Sequence, residues 1–159
     1  MNTVFIFDLD GTIINSEHRT PRDEQGKLIL NEWFRLATWN NIEKDTLLPL
    51  ARLFRFLKRR HTPMLVCTAR TLTEADKRFF AKHALGCKYT LSRPKGDTRP
   101  DGQLKREMLE EFFSTRWQNH KKIMFDDNQE VLREVAKIGI IARDAVKSNN
   151  HMEVAFANG

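Results

Sequence analysis

Thiol chemistry has little to work with in this chain, whose 159 residues include two cysteines, Cys67 and Cys87. Neither stands in a CxxC or other metal-ligand spacing, which excludes a zinc ribbon and a disulfide framework. Cys67 lies inside an apolar run and reads as a buried, reduced thiol. The five histidines, His18, His61, His83, His120 and His151, are scattered without metal spacing and read as surface residues. No apolar run approaches the ~20 residues a membrane span needs. The one early apolar stretch is interrupted by Asp8 and Asp10, so the layout of a signal peptide is missing and a cytosolic location is expected. Repeats and low-complexity tracts are absent. The length suits one domain over 1–159 with a single core.

What is present is charge and alternation. Lys and Arg outnumber Asp and Glu by 27 to 21, giving a net charge of +6 and a pI near 9.5. That surplus favours phosphorylated or polyanionic partners, though it also serves solubility. Short apolar runs at Val4 to Phe7, Met64 to Cys67, Tyr89 to Leu91, Ile123 to Phe125 and Ile140 to Ala142 predict buried strands. Helical spacing predicts helices over Leu30 to Trp39, Asp45 to Arg60, Thr73 to His83, Leu104 to Phe113 and Val131 to Ile138. Residues 13 to 29 and 92 to 102 read as loop, and the tail from 146 to 159 as polar and fraying. Lys58, Arg59 and Arg60 close a helix, where cations suit the dipole. Strands alternating with helices imply an α/β fold, a central parallel sheet flanked by helices.

In such sheets ligands bind beyond the carboxyl ends of the strands. Three strands here end in chemically loaded residues: Asp8 with Asp10, Thr68 with Arg70, and Asp126 with Asp127. One Asp after a strand is readily a helix cap; the same coincidence three times at one edge points to a site. Four carboxylates there would repel at neutral pH, and a bound cation relieves them. An oxygen-only ligand set favours Mg²⁺ over Zn²⁺. A carboxylate can attack phosphorus and form an aspartyl-phosphate, while a second carboxyl gives and takes the proton. Asp8 as nucleophile with Asp10 as acid and base suits that scheme. Thr68, Arg70 and Lys105 supply the hydroxyl and cations a phosphoryl group needs.

Asp8-Leu9-Asp10-Gly11-Thr12 after an apolar strand resembles the first motif of the haloacid dehalogenase superfamily, and Thr68, a later lysine and Asp126-Asp127 follow in its order. The resemblance implies a Rossmann-like fold with a minimal cap, residues 13–44 being the candidate cap or insertion. A closer resemblance is to the 3′-phosphatase domain of bacteriophage polynucleotide kinase, carried by Gly96-Asp97-Thr98-Arg99 and the stretch to Lys105. It implies that Lys105, with Lys95 as competitor, is the site lysine and that Asp101 orients it; Asp101 reads equally as a helix N-cap. It further implies Thr12, Arg19 and Arg70 on the substrate side, and Mg²⁺ held by Asp8, the Asp10 carbonyl and Asp126 with Asp127 in support. No GxxxxGK[ST] occurs, so kinase activity is not expected. Trp33 and Trp39 read as packing, with base stacking as the alternative. The expected activity is a phosphomonoesterase for nucleic-acid 3′-ends or nucleotides. A 5′-(deoxy)nucleotide monophosphatase is the alternative, and a non-catalytic basic nucleic-acid-binding protein a remoter one. By the same resemblance the enzyme is phage-encoded and acts in the host cytoplasm.

Overall fold

The computed structural model describes residues 2–157. Five strands form one parallel sheet: β1 (Thr3–Phe7), β4 (Met64–Cys67), β5 (Thr90–Leu91), β6 (Lys121–Asp126) and β7 (Ile141–Asp144), in the order β5-β4-β1-β6-β7. Successive residues of β1 face opposite sides of the sheet, and both sides are apolar. Val4 and Ile6 join Leu65, Met124, Leu109 and Val131 on one face, whereas Phe7 joins Phe54, Val66 and Phe79 on the other. Helices α5 (Asp101–Thr115) and α6 (Gln129–Ala136) cover the first face. The second face carries α3 (Leu50–Arg59), α4 (Glu74–Lys82) and α7 (Ala145–Ala157). The expected α/β architecture, helices on both sides of a parallel sheet, is therefore the one observed. No helix among the described residues is long and apolar enough to cross a membrane.

Between β1 and α3 the chain leaves the sheet. β2 (Ile14–Asn15) pairs antiparallel with β3 (Thr46–Leu47), and this two-stranded ribbon is the stem of an excursion. The excursion holds a short 3-10 turn (Glu17–Arg19) and the helices α1 (Leu30–Leu36) and α2 (Trp39–Ile42). Two expectations change here. The stretch read as loop supplies a strand and a buried Arg19, and the single helix expected over Leu30 to Trp39 is two. The helix expected from Asp45 begins instead at Leu50, because Thr46–Leu47 pairs with β2 and Pro49 is the cap. Within α3, Leu50, Ala51, Phe54 and Leu57 are buried at helical spacing, and Lys58 and Arg59 sit in its last turn as the dipole favours.

The tail expected to fray is α7 through Ala157. Ala145 and Met152 pack it on the core, and a buried polar residue fastens it. Asn149 is buried; its side-chain carbonyl accepts the Leu50 N–H at 2.8 Å and its amide donates to the Thr12 carbonyl at 2.9 Å. It thus caps the start of α3, an orphan donor of any helix, and fastens the turn that follows β1.

Candidate active site

β1 is the central strand, and its register puts Phe7 beside Val66 of β4 and Phe125 of β6. The residues that follow these strands are therefore brought to one edge, with the Asp8 N–H donating to the Phe125 carbonyl at 3.1 Å. Oxygens of Asp8, Asp126 and Asp127 lie within 4.8 Å of one another. Lys105 enters this cluster from α5. Its helical position beside Leu104 and Leu109 puts it on the core-facing stripe, where it is buried. Its ammonium donates to Asp8 Oδ1 at 2.8 Å and to Asp126 Oδ2 at 2.6 Å. Burial opposes that charge, but Asp126 and Asp8 outweigh it and raise the Lys105 pKa well above its ordinary value. Thr12 donates its hydroxyl to the other Asp8 oxygen at 3.0 Å. The competitor Lys95 lies exposed in the preceding loop.

One lysine does not neutralise three carboxylates. Burial, then the charge of Asp8, pushes the Asp126 carboxyl up to about 6 despite Lys105. Burial and the charges of Asp8 and Asp126 push Asp127, at the more exposed mouth, up to about 8. Protons here stand in for a cation. The donor set is all carboxylate, and its span is close to the ~4.2 Å separating opposite oxygens on one Mg²⁺. The residues present therefore fit a hard divalent ion. Gly11 permits the crowding: a Cβ there would stand 2.2 Å from Asp127 Oδ2, and its φ of +78° suits glycine.

Asp10 belongs to a neighbouring set. Its carboxylate accepts from Arg70 Nε at 2.5 Å and from Ser16 Oγ at 2.8 Å, and Arg19 Nη2 lies 4.0 Å away. Arg70 is itself held by Asp76, which also closes the capping box of α4 with Thr73. Thr68, buried at the end of β4, accepts the Arg70 N–H at 3.2 Å. The Trp33 ring lies 4.6 Å from the Arg19 guanidinium carbon and 5.7 Å from that of Arg70. Trp33 is buried, so it packs against these cations and is not a platform for a base. Trp39 lies beside Arg78 and Lys82 of α4.

Asp101 is placed differently from expectation. It opens α5 next to Pro100, and its carboxylate accepts from Arg93 at 2.8 Å, with no hydrogen bond to Lys105. The same Arg93 donates to the carbonyls of Ala69, Asp97 and Arg99. Arg99 is forked on Asp97 and also reaches Glu107 at 2.6 Å. The stretch from Arg93 to Asp101 is thus a bonded scaffold at the start of α5. Ser16, Asp45, Asp76 and Arg93 escaped the sequence reading. Only Asp76 carried a local signal, standing three residues after Thr73 as a capping box requires.

A family model described as bacteriophage T5 5′-deoxynucleotidase matches residues 1–95, a stretch holding the β1 site residues, the excursion and Arg70. The chain belongs to this family. The 5′-deoxynucleotidase of Escherichia phage T5 is 39% identical over 89 residues, 54% of this chain and 36% of that enzyme. The match therefore spans about a third of the relative's length. Among solved structures, a chain of the Pnkp1/Rnl/Hen1 RNA repair complex is similar over 91% of this chain and 42% of that one, with a TM-score of 0.69 at 20% identity. A haloacid dehalogenase-like hydrolase from Streptococcus pneumoniae matches 89% of this chain and 83% of its own, with a TM-score of 0.60 at 12% identity. The second likeness shows the haloacid dehalogenase fold.

Proposed function

We propose that this chain is a Mg²⁺-dependent phosphomonoesterase acting on deoxynucleoside 5′-monophosphates through an aspartyl-phosphate on Asp8. The observation that carries the reading is the pairing of two sets at one sheet edge. Asp8 stands in a carboxylate cluster with a buried lysine, and Asp10, two residues on, stands among arginines. A bound Mg²⁺, held by Asp8, the Asp10 carbonyl and Asp126 with Asp127 beside them, would offset the charge of phosphate and carboxylates.

In the first half-reaction an Asp8 oxygen attacks phosphorus and the ester P–O bond breaks, the leaving oxygen taking a proton from Asp10. In the second, water attacks phosphorus as Asp10 takes its proton, and the P–O bond to Asp8 breaks, restoring the carboxylate. Lys105 and Thr12 hold Asp8 in place. Arg19 and Arg70 meet the phosphoryl oxygens, with Thr68 behind Arg70.

Family membership favours the 5′-nucleotide over the nucleic-acid 3′-end among the expected substrates. The Gly96–Asp101 stretch, which suggested the 3′-end, spends its charged groups on one another and on Arg93 and Glu107, and so discriminates neither. Residues 13–44 act as the small cap of a single domain. Their contact through Trp33 with Arg19 and Arg70 suits a small substrate.

The test is phosphate release from deoxynucleoside 5′-monophosphates, 3′-mononucleotides, a 3′-phosphorylated oligonucleotide and an aryl phosphate, each with Mg²⁺ and with EDTA. Turnover highest on the 5′-monophosphates and abolished by EDTA is expected. Preference for the oligonucleotide would move the assignment to 3′-end processing, and no turnover at all would leave a binding protein.

A further inference from the structure

Arg19 is an arginine that the fold buries almost completely, with 3% of its surface exposed, and yet leaves partly unbonded. Its Nε and Nη2 are forked on the Asp45 carboxylate at 2.9 and 2.8 Å. Nη1 is buried without an acceptor. A buried guanidinium donor left unmade carries an uncompensated desolvation cost, which a ligand oxygen would relieve. The fork occupies the Nε–Nη2 edge of a planar group, which leaves the Nη1–Nη2 edge. Nη2 on that edge lies 4.0 Å from Asp10 Oδ1, so the edge borders the site.

We infer that Asp45 is a positioning residue that turns this free edge of Arg19 toward an oxyanion, the phosphate of the substrate. The inference rests on the reading of the site as a phosphatase. Three observations converge on Asp45. Its side chain is buried, and its position just before β3 is fixed by the ribbon with β2. Its Oδ1 also bonds His18 Nε2 at 2.7 Å, so the carboxylate is held from two directions. Trp33 lies against the guanidinium at 4.6 Å and limits its rotation. All three contacts come from the excursion between β1 and α3. That segment therefore presents a pre-aimed cation to the catalytic edge rather than only covering it. His18, expected as a surface residue, is part of this support.

The experiment measures binding of inorganic phosphate with Mg²⁺ by calorimetry beside KM and kcat on a deoxynucleoside 5′-monophosphate, with thermal melts to verify folding. Asp45→Glu keeps the charge of the buried pair but displaces the carboxylate by a methylene, and Asp45→Asn removes the charge. Both are expected to weaken phosphate binding and raise KM by about 10- to 100-fold, with kcat changed far less, as a misaimed binding group does. Arg19→Ala should match them, and the double variant Arg19→Ala with Asp45→Asn should be no worse than Arg19→Ala alone. His18→Gln, on the exposed side, should fold normally and lose less than either. Phosphate affinity within twofold of the unmodified protein in a folded Asp45→Glu variant overturns the inference, as does additive loss in the double variant. Absence of turnover with phosphate binding intact and sensitive to both residues would overturn the enzymatic reading alone.

Discussion

The Lys105 ammonium lies 2.8 Å from the Asp8 carboxylate across 97 positions of sequence, and both groups are buried. Taking charges out of water costs several kcal/mol each, which only close pairing offsets. Lys105 also reaches Asp126, so its removal strands two carboxylates at once. Lys105→Met is expected to destabilise the metal-free protein by about 3–5 kcal/mol. Mg²⁺ should recover part of that loss, because a cation can replace the missing charge. Turnover with Mg²⁺ should still fall by about 10²–10³-fold, the usual cost of one charge-stabilising donor. Denaturation midpoints with and without Mg²⁺ measure the first effect; a variant as stable as the parent without Mg²⁺ would contradict it.

The crowded carboxylates set a pH dependence whose sign follows from linkage. The ordinary aspartate value is 3.8, and in the fold Asp126 rises to about 6 and Asp127 to about 8, both through burial first and like charge second. Between 3.8 and these values the folded protein holds protons that the unfolded chain releases. The associated stability is complete below the lower limit and is lost as pH rises through the upper ones. From about pH 6 to about pH 8 the Tm of the metal-free protein should therefore fall. Because Mg²⁺ competes with those protons, the rise in Tm it causes should be greater at the higher pH. Melting curves in both conditions decide; a Mg²⁺ shift independent of pH would count against metal binding at these carboxylates.

How far the sequence could be read depends on the range of the forces involved. The sheet was legible because its strands are short apolar runs, and Asp8, Asp126 and Asp127 because they follow such runs directly. Lys105 was legible through the resemblance carried by Gly96-Asp97-Thr98-Arg99 and the stretch that follows it, not through any periodicity of its own. Asp45 was not, because its partner Arg19 is 26 residues away and Asp45 itself resembles a helix start. Asn149 was hidden in a polar stretch whose periodicity is weak, since α7 meets the core through Ala145 and Met152 and is fastened besides by a pair of hydrogen bonds. Asp101 misled in the opposite way: near Lys105 in sequence, it turns outward to Arg93.

Asn149 makes those two bonds a stability matter. Asn149→Ala leaves the Leu50 N–H and the Thr12 carbonyl buried and without these partners, at a cost of about 1–3 kcal/mol for each group so stranded. Because Thr12 also donates to Asp8, turnover should fall modestly as well. Asn149→Asp retains the acceptor for Leu50 but lacks the donor for Thr12, so it should be intermediate at best. Chemical denaturation of the two variants checks the order, and an alanine variant of unchanged stability would mean that α7 docks by other contacts.

Asp10 stands two residues after Asp8, and its carboxylate is held by Arg70 and Ser16. The proposed role of Asp10 as acid and base separates two kinds of leaving group. A nucleotide alkoxide must be protonated as it departs, whereas a nitrophenolate leaves without help. Asp10→Asn should therefore depress formation of the aspartyl-phosphate by about 10²–10⁴-fold on a deoxynucleoside 5′-monophosphate. On a nitrophenyl phosphate it should spare that step and slow only the hydrolysis that follows. A burst of nitrophenol equal to the enzyme concentration, followed by slow turnover, is the expected trace. Asp8→Asn, which removes the proposed nucleophile, should give no burst on either substrate. Equal losses on both substrates in Asp10→Asn, without a burst, would place the proton transfer on another group.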